Sequence, residues 1–532
     1  MAHGPEPERE LVLRLGCQLC QDALLAISWG YQQTSRVPGA GQSKSARARP
    51  SRGLAALAAG VDCSTQATKV LLVDPEDGRV VATGRAPHEV TGAGGARETD
   101  PAVWWEALRR ALAETGRAAE VGAISVAGQQ HGLVVTVADG RPLRPAVLWN
   151  DTRSAPEAAT LRDALGAEAW AERVGVVPVP SFTVTRWAWL RRTEPEVTAA
   201  AQAIRLPHDW LTERLSGHGA TDRGDASGTG WWSTRDEDYA TEVLELPAVE
   251  LDRSLLPDVL GPTEAAGAVH AAAARELGLP EGTIVGPGTG DNMSAALGLG
   301  LRPGEPAISL GTSGTAYAAM SERAVDPSGL IAGFADATGG FLPLAATLNC
   351  TLAVDRVAAW LGLEREGVAE RTEVTVLPYL DGERTPNLPR AAGTIAGLRH
   401  DTEPGQILLA AYEGAVASLV EALELLAAVG TGLDPDAPVV LIGGGARGRV
   451  WQATVARLSG RSVQVPDADE LVGLGAAAQA AALLTGERPD EIARRWDTRG
   501  GKAVEPPAQP DTETLARIRA TRQAALGLLD PP

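Results

Sequence analysis

The stretch "GVDCSTQATKVLLVD", Gly60 to Asp74, places Asp62 just ahead of Cys63, Ser64, Thr65 and Thr68. A carboxylate beside small hydroxyl residues can do phosphate chemistry. Turn amides and hydroxyls make a concavity for anions, and an acid at its rim can hold a divalent cation, usually with waters between. The same residues also suit an ordinary hairpin turn, so this stretch alone does not decide. A second such stretch, "AISLGTSGTAYAAM", carries Thr312 and Ser313 and begins ~245 residues later, about the size of one domain. Between them, "IVGPGTGDNMSAALGLG" carries Asp291 and Asn292. An acid there can take the proton of an attacking hydroxyl, or can merely cap the helix that follows. "AGQQHG" sets Gln130 and His131 at the end of an apolar strand, where a histidine serves a ligand or lies buried. "PVVLIGGGARGRVWQATVARLSG" sets Gly444 and Gly445 between a strand and a helix, where bare backbone lets a ligand approach or simply turns the chain.

Other phosphate devices fit less well. A P-loop needs Gly-Lys-Ser/Thr, and the three lysines are Lys44, Lys69 and Lys502, of which only Lys502 follows a glycine. "GLGAAA", Gly473 to Ala478, matches a dinucleotide fingerprint loosely, but "ADEL" rather than a strand precedes it. Two opposed hairpins remain as the phosphate cradle.

The elements that must position these residues follow an α/β order. Strands "GVDCSTQATKVLLVD" and "RVVATGRAPHEV" precede "DPAVWWEALRRALAETG", whose Val103, Ala107, Leu108 and Leu112 recur at helical spacing. Trp104 and Trp105 read as packing of that helix. The strand "VGAISVAG" closes a β-β-β-α-β pattern. "QILLAAYEGAVASLVEALELLAAVG" reads as one long core helix. Two halves that each open on a hydroxyl hairpin predict two related domains facing across a cleft, where small ligands gather.

The chain has 532 residues and a net charge of −19, which argues for more than one domain and against nucleic acid or anionic membrane as partners. Four cysteines are too few for a disulfide framework and fit a reducing cytoplasm; Cys17-x-x-Cys20 lacks a second pair for zinc. No apolar run is expected to be long enough to span a bilayer. The stretch from Leu11 is broken by Arg14, Gln18 and Asp22 and preceded by Glu6, Glu8 and Glu10, which argues against a signal peptide. Residues 36–52 are rich in Gly, Pro, Ser and Arg, so residues 1–53 are expected to be a disordered extension.

Seven motifs in order, "GVDCSTQATK", "AGQQHG", "LWND", "GTGDN", "SLGTSG", "LPYLDGERTP" and "LIGGGAR", resemble the FGGY family of carbohydrate kinases, and within it the branch that acts on xylulose. The resemblance runs from about Leu54 to the C-terminus and implies an actin-like, ribonuclease H-like fold of two domains with the ligand cleft between them, divided here as 54–302 and 303–532. It implies ATP-dependent phosphorylation of D-xylulose to D-xylulose 5-phosphate. Asp291 would be the general base, with Asn292, Gln130 and His131 on the sugar. Asp62 would order Mg²⁺ through water. Ser64, Thr65, Thr312 and Ser313 would hold the ATP phosphates, and Gly444 and Gly445 would pass beside the adenine. The segment carrying Asp222 and Asp225 corresponds to the sugar side and receives no catalytic role. Arg186 and His208 stand where a well-known bacterial member has lysine.

A kinase for ribulose or glycerol shares the hairpins and is the alternative. A sugar-sensing regulator would need a helix-turn-helix ahead of residue 54. An actin-like filament or chaperone ATPase would lack the base and the "AGQQHG" turn. The expected partners are a ketose and ATP, in the cytoplasm, with a homodimer left open.

Overall fold

A computed structural model describes residues 56–429 and 432–529 of the chain. The expected extension and the Cys17/Cys20 pair lie outside the described residues.

The first half is built on β1 (Leu57–Cys63), whose seven residues are all buried. A strand covered on both faces reads as a continuous run of small and apolar residues, and "LAAGVDC" does so. It turns into β2 (Ala67–Val73), which pairs antiparallel with it, and β3 (Val80–Pro87) follows antiparallel on β2. Helix α1 (Pro101–Thr115) then crosses the sheet. Asp100 caps it by accepting from the Ala102 amide, Pro101 opens it, and Gly116 ends it at φ 65°, where a side chain would be strained. Its packed face is Trp104, Leu108, Ala111 and Leu112, with Val103 left partly exposed. β4 (Val121–Gly128) returns parallel to β1.

After further helices, including α2 (Thr183–Thr193), the short β5 (Thr289–Gly290) pairs parallel with β4 and leads straight into α3 (Asp291–Gly298). The second half repeats the plan. β6 (Pro306–Leu310) and β7 (Gly314–Ala318) form an antiparallel hairpin, and β8 (Phe341–Thr347) pairs with β7. The long α4 (Pro404–Ala428) precedes β9 (Val439–Ile442), which is parallel to β6, and β10 (Val463–Pro466) follows parallel to β9. Both halves thus present a hairpin whose first strand has a parallel neighbour, as the internal echo in the sequence predicts.

Two features were not anticipated. Helix α4, expected as one long core helix, is also long and apolar enough to cross a membrane, which corrects the expectation that no apolar run has the length to do so; 83% of its apolar window is buried inside this fold. And α5 (Leu471–Thr485), late in the chain, packs on the first half. A Cβ on Gly60 would come within 1.9 Å of the Gly473 carbonyl, and one on Gly475 within 1.9 Å of the Ser294 carbonyl. The "GLGAAA" glycines therefore serve close packing of α5 against β1 and α3. The contact is also polar: Ser294 Oγ donates to the Val472 carbonyl, Ser125 Oγ to Gln479 Oε1, and Gln479 Nε2 to the Gly288 carbonyl. Cys63 and Cys350 are unpaired and buried.

Candidate active site

Three neighbouring strands deliver the candidate residues to one end of the first sheet. In the β1–β4 register Asp62 lies beside Ala127 and Cys63 beside Gly128. In the β4–β5 register Thr289 lies beside Ala127 and Gly290 beside Gly128. The chain leaving each strand must therefore emerge at the same level. That brings the hydroxyl turn after Asp62, the turn Gln129–His131, and the start of α3 together at the carboxyl ends of parallel strands, where open α/β sheets bind ligands.

The first turn is tightly tied. Ser64 donates to the Ala67 carbonyl through both its amide, at 3.1 Å, and its hydroxyl, at 3.0 Å. Thr65 Oγ1 lies 3.4 Å from Gln129 Oε1 and accepts from Trp149 Nε1 at 3.2 Å. The Gln129 amide donates to the Cys63 carbonyl at 3.1 Å.

Gln130, Asn292 and Asp291 form one linked group. Asn292 Nδ2 donates to Gln130 Oε1 at 2.8 Å and to Asp291 Oδ1 at 3.0 Å. The Asn292 amide also donates to Asp291 Oδ1, at 2.8 Å. Only glycine fits at 290, since a Cβ there would meet Gln130 Cγ at 2.7 Å. The N-cap of α3 is Gly290, so Asp291 is the first helical residue and not the cap. Its carboxyl is pushed up to about 7 by burial, with the Asp62 and Asp225 charges adding to the effect. A carboxyl titrating near the working pH is well matched to general-base work. Asp62 is raised to about 6 by burial, opposed by Lys69 and reinforced by Glu470.

His131 sits in the left-handed region at φ 66°, uncommon for a residue with a side chain. Its ring lies 5.1 Å from that of Phe182 and 5.6 Å from that of Phe334. Burial lowers it to about 3, and the charges of Arg186 and Arg384 add to this, so the imidazole is neutral at physiological pH. Its Nδ1 is buried without a hydrogen-bond partner, as is Gln130 Nε2.

The second half carries the other predicted residues. Thr312 is exposed and Ser313 half-buried in the β6–β7 turn, where the Gly311 amide donates to the Ser313 carbonyl at 3.1 Å. Because β9 runs beside β6, Gly444 and Gly445 emerge next to this turn. The Gly445 amide donates to the Leu310 carbonyl at 2.9 Å, the counterpart of the Gln129–Cys63 bond in the first half. Thr351 ties in as well, its hydroxyl donating to the Gly311 carbonyl at 2.8 Å. No hydrogen bond joins these four residues to Asp62, Gln130, His131, Asp291 or Asn292 among the described residues. The halves do meet near Asp291: the buried Tyr317 of β7, raised mainly by burial, also feels the Asp291 charge.

Residues outside the sequence-based selection complete the site. Lys69 of β2 pairs with Asp62 across the hairpin, and its Nζ lies 3.9 Å from Asp62 and 2.6 Å from Glu470. The tight turn fixes this register, so it was open to a sequence reading. Beneath β5 lie His208, Asp209, Asp222 and Asp225, all buried. His208 Nε2 is 3.1 Å from Asp209 and 3.3 Å from Asp225. Burial works against its protonation, but the neighbouring carboxylates outweigh it and raise His208 to about 9. Asp222 caps the helix Arg223–Ser227 and accepts from Thr289 Oγ1 at 2.7 Å, two residues before Asp291. These acids support the site from beneath.

The fit to a cation is that of a lone carboxylate. No group of three or more His, Cys, Asp or Glu that could hold a metal occurs among the described residues. Asp62 alone, buried and raised in pKa, fits an ion completed by water and phosphate oxygens, as Mg²⁺ prefers, and not an all-protein cage.

Comparison with known proteins agrees with this geometry. Residues 57–298 match the N-terminal domain, and residues 307–484 the C-terminal domain, of the FGGY family of carbohydrate kinases. The chain is 59% identical over 478 residues to a xylulose kinase of Streptomyces coelicolor, covering 89% of this chain and 97% of that protein. It is 34% identical over 443 residues to a xylulose kinase of Haemophilus influenzae, covering 79% and 89%. The crystal structure of a xylulose kinase from Bifidobacterium adolescentis superposes with a TM-score of 0.77 at 35% identity, covering 88% of this chain and all of that one.

Proposed function

We propose that Asp291 is the general base of this chain, which belongs to the FGGY family of carbohydrate kinases and phosphorylates xylulose at the expense of ATP. The observation that carries the proposal is the Gln130–Asn292–Asp291 group, a base of raised pKa wired to two amide side chains. Amides and a neutral imidazole suit a polyhydroxylated, uncharged substrate. Gln130 Nε2 and His131 Nδ1 are buried and unpartnered, and sugar hydroxyls would satisfy them.

In the reaction, the Asp291 carboxylate takes the proton of the sugar's C5 hydroxyl as its oxygen forms a bond to the γ-phosphorus. The bond from that phosphorus to the bridging oxygen breaks, and the electron pair leaves on ADP. The Ser64–Thr65 and Thr312–Ser313 turns hold the phosphates from opposite sides through amides and hydroxyls. Lys69 adds positive charge beside the first turn. Asp62 would hold Mg²⁺, which would supply positive charge against the phosphates when bound. Gly443, at φ 84°, and Gly445, whose Cβ would meet Thr351 at 2.8 Å, are glycines for reasons internal to the fold. Gly444 has no such reason, since a Cβ there meets nothing within 4 Å, and a passing nucleotide supplies one.

The sugar side is tested by varying sugar and ATP independently. Gln130→Ala and His131→Ala are expected to raise KM for xylulose far more than KM for ATP. A loss confined to ATP affinity would place the sugar in the wrong half of the molecule.

Closure is expected to bring the two hydroxyl turns onto the same phosphates and to exclude water, which would otherwise compete for the phosphoryl group. The hinge is expected near residues 301–305. Small-angle scattering should show a smaller radius of gyration with xylulose and a non-hydrolysable ATP analogue together than with either alone. An unchanged radius in all states would mean a preformed cleft.

A further inference from the structure

Arg186 on α2 is fully buried, yet no carboxylate lies within ion-pair distance of its guanidinium among the described residues. Its hydrogen bonds go to backbone carbonyls alone. Nη1 donates to the His131 carbonyl at 3.1 Å and to the Ser181 carbonyl, and Nη2 donates to the Trp149 carbonyl at 2.6 Å. A buried charge is costly, and three carbonyl dipoles from three separate segments are what compensate it here. Burial depresses its pKa, with Asp151 working against this, and arginine remains charged.

Two of the three recipients, His131 and Trp149, lie in the turns that flank the sugar side. His131 ends the Gln129–His131 turn in the left-handed region, at a φ of 66°. Thr183 Oγ1, at the start of the same helix, donates to that carbonyl as well, at 3.1 Å. Trp149 lies in the turn whose indole Nε1 reaches Thr65. One rigid, planar cation therefore fixes the spacing between the turn bearing Gln130 and His131 and the turn bordering the first phosphate hairpin. We propose that Arg186 is a positioning residue for sugar selectivity, holding the His131 turn in its left-handed conformation so that Gln130 and His131 meet one arrangement of ketose hydroxyls and not its epimer.

The proposal rests on the kinase reading above. Xylulose and ribulose differ only in configuration at C3, so a site can tell them apart only if its hydrogen-bonding groups are held still. Methionine keeps most of the stem but donates no hydrogen bond, and so leaves the three carbonyls without the fork that spans them. Displacing a binding group by about 1 Å can cost about a hundredfold in rate.

The test measures kcat and KM for xylulose, ribulose and ATP in the wild type, Arg186→Met and Thr183→Val. Arg186→Met is expected to raise KM for xylulose about tenfold or more. It should leave KM for ATP within about twofold, and it should narrow the ratio of kcat/KM between xylulose and ribulose. Thr183→Val, which removes the second donor to the same carbonyl without changing shape, should shift the same quantities in the same direction by less. If Arg186→Met does not fold, Thr183→Val decides. Unchanged selectivity and KM in the folded variants would overturn the proposal, as would equal losses for sugar and ATP. A wild type that prefers glycerol or ribulose would instead overturn the xylulose reading, while the split between sugar KM and ATP KM would still judge Arg186.

Discussion

Asp291→Asn is expected to abolish sugar phosphorylation while leaving nucleotide binding and the fold intact. The amide keeps the shape and the hydrogen bonds from Asn292 but cannot accept the proton of the attacking hydroxyl. Loss of a positioned base costs about 10²–10⁴-fold in rate. The same variant carries a stability signature. Burial and the charges of Asp62 and Asp225 raise the Asp291 pKa from 3.8 to about 7. The folded protein therefore holds this proton more tightly than the unfolded chain. The stability this contributes is fully present below pH ~4 and is lost as the pH rises through about 7. Above that, an ionised Asp291 weighs against the fold, and Asn does not. The melting temperature of Asp291→Asn should exceed that of the wild type at pH 8, with the gap closing toward pH 4. A variant that is inactive but less stable at pH 8 would point to a structural defect.

Gly475→Val should damage both stability and catalysis. A Cβ at 475 would stand 1.9 Å from the Ser294 carbonyl and 2.8 Å from Ser294 Oγ, so α5 and α3 must separate. Overpacking in a closed core costs about 1–3 kcal/mol and sometimes more, and backbone meeting backbone belongs at the upper end. Helix α3 begins with Asp291 and Asn292, and α5 holds the Gly288 carbonyl through Gln479. The melting temperature should fall by several degrees, and the surviving folded enzyme should have a reduced kcat. Gly444→Ala is the control, since its Cβ meets nothing within the protein. It should melt like the wild type.

The contrast between these variants marks what the sequence discloses. The placement of Asp62, Gln130, His131 and Asp291 at strand ends and turns was legible because strand, turn and helix grammar is local, while their proposed roles came from the resemblance to the FGGY family. Lys69 was legible too, since a tight hairpin sets it opposite Asp62. The glycines at 473 and 475 were not. Their purpose is contact with β1 and α3, hundreds of residues away in the chain, and a pattern within α5 carries no trace of its partner. The His208, Asp209, Asp222 and Asp225 cluster is likewise assembled by tertiary packing from separate segments. Helix α4 makes the same point about solvent: its apolar length satisfies a membrane and a protein core equally, and only packing distinguishes them.

One cleft is expected to transfer the γ-phosphoryl group of ATP to xylulose. The most direct test is ADP release by the purified protein across a panel of ketoses, aldoses and glycerol, with kcat/KM determined for each. Xylulose should give the highest value, and ADP release without sugar should be slow. A higher kcat/KM for ribulose, glycerol or an aldose, or ADP release indifferent to sugar, would contradict the account.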